Sequence, residues 1–462
     1  VIVGAVVACL AVVYVGFGIF FQSHFCFGTT IDGIKAGGKS VEKVEQLITE
    51  EIDSYVLNLA EREDGSESIS GESIQIAPVF NGEVEELLNG QNGFAWVVTL
   101  FKHDNLELAK VVTFDEDALD SQIDQLNCMQ ASEQREPVDA TVSAYTADGY
   151  SLVPADYGTT IDKNTFKKAV EDSILVLADE LDLDEADCYV KPEIEDDNEK
   201  LLAVIDEMNS YVGTTITYDF DVAKEVLDGE RISEWLSVDD DLNLVVDEEG
   251  VLSFVKELAS EYNTCYKPKE LKTSYGSTVT ISNGPYGWKI NNSEEVAQIL
   301  DDLKAGKKVE REPVYAQTAN SHGENDYGNS YVEINLTAQH LFLYKDGVLV
   351  TESDFVSGNV AKGHATPGGA FMLTYKTLNA VLRGPDYETP VTYWMPFNGD
   401  IGMHDLTSRK AFGGDIYKTR GSHGCINLPY SAAKKIYETI DKGYCVLVYN
   451  LPGTESDTVK QK

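Results

Sequence analysis

Ser422-His423-Gly424-Cys425-Ile426-Asn427, with His404 eighteen residues ahead of its serine, is the stretch around which the chain is organised. A cysteine attacks as its thiolate and so needs a base or a positive field close by. Cys425 is the candidate nucleophile, and His404, in Gly402-Met403-His404-Asp405, is the candidate proton acceptor and donor. Asp405 offers both a carboxylate and a backbone carbonyl, and either can orient the imidazole. Gly424 permits close backbone approach, so the amides of His423, Gly424 and Cys425 are candidates to face a developing oxyanion. Ser422 and Asn427 are polar residues expected to brace the turn through backbone hydrogen bonds. His423 is assigned a supporting role rather than that of principal base.

The sequence on either side of this motif reads as mostly β. Tyr331 to Leu336 alternates with period two, and His340–Tyr344 and Val348–Val350 flank Lys345-Asp346-Gly347, a hairpin signal. A helix is expected over Ser431–Lys442, stopped by Gly443, followed by a buried strand over Tyr444–Tyr449 that contains Cys445. Leu451 to Lys462 reads as a loose tail. Gln317 to Ser330 is polar and rich in Gly, Asn and Ser, a linker by composition. It repeats Ser-His-Gly at Ser321-His322-Gly323, but Glu324 holds the cysteine position and that copy has no nucleophile.

Charge is distributed unevenly. The chain has 462 residues and a net charge of −42, yet the part from Gly328 onward has 13 Lys/Arg and 13 Asp/Glu. The 65 acidic and 23 basic residues before it account for the whole imbalance. Such a surface repels nucleic acid, which is excluded as a partner. Seven cysteines at this density are no disulfide scaffold. Cys26, Cys128, Cys188 and Cys265 are free to pair in principle, and Cys445 reads as a small buried hydrophobe. No His/Cys spacing suits zinc, so no metal and no cofactor is expected.

Val1 to Phe21 carries no charge and is long enough to cross a bilayer. The apolar run continues through Phe17, Ile19, Phe20 and Phe21, which favours an uncleaved anchor over a signal peptide. The chain opens on Val1 rather than Met, so residues ahead of the anchor are expected. Between the anchor and Pro313 a tandem repeat is expected. Val84–Gly90 followed by Trp96 aligns with Ala223–Gly229 followed by Trp235, and Tyr157-Gly158-x-x-Ile161-Asp162 aligns with Tyr286-Gly287-x-x-Ile290-Asn291. Trp96, Trp235 and Trp288 read as core residues that have stacking on sugars as a second reading.

The C-terminal motif resembles the L,D-transpeptidase catalytic domain of the YkuD type, whose pattern is His, a spacer, then Ser/Thr-His-Gly-Cys-hydrophobe-Asn. Ser357-Gly358, Thr366-Pro367-Gly368-Gly369, Tyr393-Trp394-Met395 and Phe412-Gly413-Gly414 match its accessory features. The upstream repeats resemble the peptidoglycan-binding domains that precede some of these catalytic domains. The apolar run, the repeats and the resemblance together predict a multidomain chain with a transmembrane helix at residues 1–22, a membrane-proximal segment at 23–70 and two α+β repeat domains at 71–192 and 193–315. A linker at 316–330, a mostly-β, β-sandwich-like catalytic domain at 331–450 and a tail at 451–462 complete it. The resemblance further implies a peptidoglycan transferase that forms 3→3 cross-links between stem peptides, faces the cell wall from the membrane, and reacts with carbapenems. An L,D-carboxypeptidase on the same stems and a non-catalytic wall-binding scaffold remain alternatives. Under a flexible flap, Tyr393, Trp394 and Met395 are expected substrate contacts, with packing as the other reading, and Arg383 and Arg420 are candidates for a stem carboxylate.

Overall fold

The computed structural model describes residues 2–108, 112–323, 325–384, 387–457 and 459–460. Val1, Glu324 and the end of the tail lie outside the described residues. The chain forms two compact units, residues 1–143 with 152–198, and residues 144–151 with 199–462.

The first unit begins with the helix Ile2–Phe20, whose mean hydropathy of 2.6 makes it long and apolar enough to cross a membrane. The segment expected to be membrane-proximal is instead part of a folded domain. Ser40 caps the helix Val41–Asp53, accepting from the Lys43 amide, and the helix buries Val44, Ile48 and Ile52. Val56–Ala60 then forms the centre of a three-stranded sheet, antiparallel to Ser66–Ser70 and parallel to Glu180–Asp182. Asp162 caps the helix Lys163–Leu175, whose Phe166, Val170 and Ile174 close the core. The same core also takes in Phe25, Ile31 and Ala36 from the segment before residue 71.

The second unit opens with an arrangement of the same order. After the helix Glu199–Val212, Thr215–Asp219 is antiparallel to Lys224–Leu227 and parallel to Lys308–Arg311. Asn291 caps the helix Asn292–Lys304. The Tyr-Gly-x-x-Ile alignment thus falls on matching elements, each leading into a capped 13-residue helix. The other alignment does not. Glu83–Gly90 is a helix, whereas Lys224–Leu227 is a strand, so chance similarity of Leu, Gly and Trp misaligned two different elements. Trp235 and Trp288 are buried, but Trp96 is half-buried and packs on the N-terminal helix.

The expected linker is folded. Asp326 and Tyr327 are buried, and Asp326 pairs at 2.5 Å with Lys269, itself buried in the hairpin Lys269–Lys272/Thr278–Ile281. That hairpin joins an apolar cluster with Ala370, Leu447 and Tyr449 of the C-terminal domain. Gly284, at φ +133°, passes so close that a Cβ would lie 2.0 Å from the Ala370 carbonyl oxygen. The expected tail is also partly fixed. Ser456 donates to the Ala338 carbonyl and Val459–Lys460 pairs with Ala411–Phe412.

Two larger sheets build the C-terminal domain. The first runs, in spatial order, Val348–Asp354, His340–Lys345, Tyr331–Asn335, Cys445–Tyr449 and Gly369–Met372. Asp346 and Gly347 both adopt positive φ, the geometry a two-residue Asp-Gly turn demands. The second sheet runs Thr377–Gly384, Tyr387–Asn398, Ile401–Asp405 and Ile426–Leu428, the last pair parallel. Val332, Leu341 and Val446 of the first sheet share one core with Met395, Met403 and Ile426 of the second and with Ala433 and Ile436 of the helix Tyr430–Thr439. All seven cysteines are free thiols.

Candidate active site

His404 and Cys425 meet because their strands are adjacent and parallel. In the register Met403 pairs with Ile426 and His404 with Asn427, so Cys425 stands one residue before the strand that flanks the histidine. Both side chains line a cavity of about 190 Å³, together with Leu382, Thr389, Leu406, Arg409, Gly421, Ser422, His423 and Asn427.

His404 is almost fully buried, and its Nδ1 lies 2.9 Å from the backbone carbonyl of Asp405. A carbonyl only accepts, so Nδ1 carries the proton and Nε2 is left as the basic nitrogen. Burial lowers the histidine below its ordinary value, partly opposed by the Asp405 carbonyl and charge, which keeps it neutral. The Asp405 carboxylate is used elsewhere. It accepts from the amides of Thr392 and Tyr393 at 2.8 and 2.7 Å, pinning the neighbouring strand. Of the two ways Asp405 was expected to orient the base, the carbonyl is the one seen.

The Cys425 thiol is pushed up to about 11, chiefly by burial. Its Sγ donates to the Asp400 carbonyl at 3.5 Å. The resting pair is therefore a neutral thiol and a neutral imidazole rather than a preformed ion pair.

The motif loop is braced as expected. Ser422 Oγ donates to the Cys425 carbonyl at 2.6 Å and accepts from the Gly424 amide at 3.0 Å. That bond corrects one expectation, because the Gly424 N–H is committed to Ser422 and is not aimed at an oxyanion. Thr366 Oγ1 adds a second brace, donating to the Gly424 carbonyl at 2.7 Å and accepting from the Gly358 amide at 3.0 Å. Gly358 has no room for a side chain, since a Cβ would sit 1.8 Å from the His364 carbonyl oxygen. Asn427 is buried and pairs through its backbone with Val356, while its Oδ1 has no partner. The His423 ring lies 4.9 Å from that of His364.

The expected substrate contacts divide by strand alternation. Tyr393 and Met395 point into the core between the sheets, so they pack rather than bind. Trp394 points the other way, with its ring 5.9 Å from His404 and its Nε1 donating to the Tyr375 hydroxyl. Arg383 pairs with Glu388 on the exposed arms of the Thr377–Gly384/Tyr387–Asn398 hairpin, and Arg420 is exposed. Neither lines the cavity. Arg409, which sequence reading missed, does line it. Its guanidinium is half-buried, donates from Nη2 to the Arg420 carbonyl at 3.0 Å, and keeps a buried Nε without an acceptor. Five residues beyond His404, an arginine in so acidic a chain was the available signal.

Residues 329–448 match the YkuD family profile, described as the L,D-transpeptidase catalytic domain. Residues 197–311 match the family described as "Putative peptidoglycan binding domain". No curated protein matches. Among solved structures, the Ldtfm–avibactam carbamoyl enzyme is 33% identical over 54% of this chain and 98% of its own, with a TM-score of 0.44. A Cys-to-Ser mutant of Enterococcus faecium L,D-transpeptidase is 32% identical over 54% of this chain and 100% of its own, also at 0.44. The catalytic domain of the E. faecium enzyme acylated by ertapenem is 43% identical over 26% of this chain and 98% of its own, at 0.25. By its family profile, and by one-third identity across the whole length of solved relatives, this chain belongs to the L,D-transpeptidases, which cross-link peptidoglycan by L,D-transpeptidation.

Proposed function

We propose that Cys425 is the nucleophile and His404 the proton carrier of a two-step acyl transfer that makes 3→3 cross-links. The observation that carries this reading is the shared cavity of the two residues, with His404 held as the tautomer whose Nε2 can accept. As the Cys425 sulfur attacks the carbonyl carbon of the third residue of a tetrapeptide stem, its proton passes to His404. The negative oxygen is met by the Cys425 amide. Collapse breaks the amide bond to the terminal D-Ala, whose nitrogen takes the proton back and leaves. The side-chain amine of residue 3 on a second stem then attacks the thioester and gives up a proton to His404, and the thiol is regenerated. Arg409 supplies the cation for the terminal carboxylate of the donor, in the role first assigned to Arg383 and Arg420. Reaction of Cys425 with a carbapenem follows the same first step.

The same reading extends to the rest of the chain. The helix Ile2–Phe20 is a single-pass anchor that places the catalytic domain outside the cell, facing the wall. The two α+β assemblies are copies of one peptidoglycan-binding domain, equivalent through Val56–Ala60 with Thr215–Asp219 and Glu180–Asp182 with Lys308–Arg311. Incubating the protein with disaccharide-tetrapeptide and weighing the products tests the chemistry. A dimer short of one D-Ala supports cross-linking, and a tripeptide monomer marks hydrolysis instead. Dimer formed by Cys425→Ala would overturn the mechanism.

A further inference from the structure

The first unit carries an apolar surface with no place in acyl transfer. Between Pro78 and Val112, two strand residues that pair with one another, the chain makes an excursion containing Glu83–Gly90 and the short helix Trp96–Thr99. The corresponding strands of the second unit, Leu236–Val238 and Leu244–Val246, are joined by residues 239–243 alone. The excursion is thus an addition peculiar to the copy next to the N-terminal helix. Its stretch from Asn92 to Phe101 (NGFAWVVTLF) has no charged residue in a chain of net charge −42. Its large side chains face outward, with Val98 60% and Phe101 86% exposed, beside Val97 and Leu100.

This stretch is fastened to the helix at a defined level. Trp96 Nε1 donates to the Tyr14 carbonyl at 3.1 Å, the Tyr14 hydroxyl donates to the Phe94 carbonyl at 2.8 Å, and the Trp96 ring lies 4.8 Å from that of Phe17. Gly18 and Gly93 make the approach feasible, because a Cβ on Gly18 would meet the Phe94 ring at 2.3 Å and one on Gly93 the Gly18 carbonyl oxygen at 2.9 Å. At 1.5 Å rise per residue, Tyr14 and Phe17 lie about 9 and about 5 Å short of the helix end at Phe20. A helix of 19 residues is about 28 Å long, close to the hydrocarbon thickness of a bilayer. An apolar segment at that level occupies the depth at which interfacial elements bury their apolar face.

We propose that residues 93–101 form a second membrane contact, a monotopic wedge that inserts into the leaflet from which the helix emerges. The proposal rests on the reading of Ile2–Phe20 as a membrane span. The occupant is lipid, because the exposed side chains are continuous with those of that helix. The attraction is apolar rather than electrostatic, since so acidic a chain is repelled by anionic headgroups. The consequence is mechanical. One helix alone lets a domain swivel, whereas a helix with a wedge beside it fixes the tilt of the first unit on the membrane.

The test uses the full chain in phosphatidylcholine vesicles, with and without bromine on the acyl chains, and adds one tryptophan at a time. The extra emission of Phe101→Trp, and separately of Val98→Trp, is expected to lose most of its intensity in brominated vesicles and to resist aqueous iodide. Quenching by iodide with no response to bromine overturns the proposal, as does protection from both. Val6→Trp in the helix separates the two readings. If bromine leaves Val6→Trp unquenched, the anchor itself fails; if it quenches Val6→Trp but neither wedge probe, only the wedge fails.

Discussion

Cys425 and His404 are each held neutral by burial, and the sign of each shift sets a measurable pH dependence. Iodoacetamide alkylation of Cys425 in the free enzyme, followed by peptide mass, should rise with pH towards a midpoint near 11. A midpoint near neutrality would show a preformed thiolate–imidazolium pair. For His404 the folded value lies below the ordinary 6.5, so the unfolded chain takes up the proton first as pH falls. Its contribution to stability is complete above 6.5 and is lost as pH drops below that value. Urea unfolding across this window should show a component of the pH slope that His404→Gln removes. Arg409 yields a prediction of another kind. Replacing it with Gln should raise KM for a tetrapeptide donor more than it lowers kcat, with unfolding little changed, if the guanidinium holds the stem carboxylate. An equal fall in kcat alone would assign it a different role.

The candidate nucleophile Cys425 is presented by an element with almost no regular structure of its own. The loop Gly421–Cys425 is held by Ser422, by Thr366 and by the backbone of Ser357–Asn359, which exchanges hydrogen bonds with Ser422. Thr366→Val should remove two of these bonds and leave the Gly358 amide and Gly424 carbonyl unpaired, a cost of about 1–3 kcal/mol. Denaturant unfolding measures that cost, and carbapenem acylation rates should fall with it. Gly358→Ala should be worse, since its Cβ meets backbone rather than a movable side chain. On the covering hairpin, Val381 is exposed while Leu382 and Thr389 reach the cavity, so the face that carries Val381 is open to substitution and the face that carries Leu382 is not.

Across the second unit, the peptidoglycan-binding fold and the catalytic domain are joined by buried polar contacts as well as by apolar packing. Lys269 and Asp326 form a buried ion pair, and Glu333 accepts from Ser274 and from Tyr449. Removing one partner of a buried pair strands the other charge, so Lys269→Met should cost about 3–5 kcal/mol. Lys269→Met combined with Asp326→Leu should recover much of that loss, as read by the urea midpoint. Upstream, Glu295 and Asp302 are likewise buried and paired with Arg311, whereas pairs such as Arg135–Glu63, Lys191–Asp187 and Arg231–Glu257 are exposed and each is worth about 0–1 kcal/mol.

Local pattern determined a good deal of this protein. The candidate pair Cys425 and His404, the bracing serine, the Asp-Gly turn, the buried Cys445 strand and the apolar N-terminal helix are all legible in short-range chemistry and period. Composition failed where polar residues were bonded rather than solvated. The supposed linker is fixed by the Asp326 pair, and the supposed tail by Ser456. A strand and a helix of similar residues could not be told apart at Lys224–Leu227 and Glu83–Gly90, because only pairing with a neighbouring strand separates them. Tertiary structure alone decided that Tyr393 and Met395 face inward, that Arg409 enters the cavity, and that the Asp405 carbonyl rather than its carboxylate holds the base. Each of these depends on which residues distant in sequence occupy the space beside a side chain, and that is set by packing between sheets.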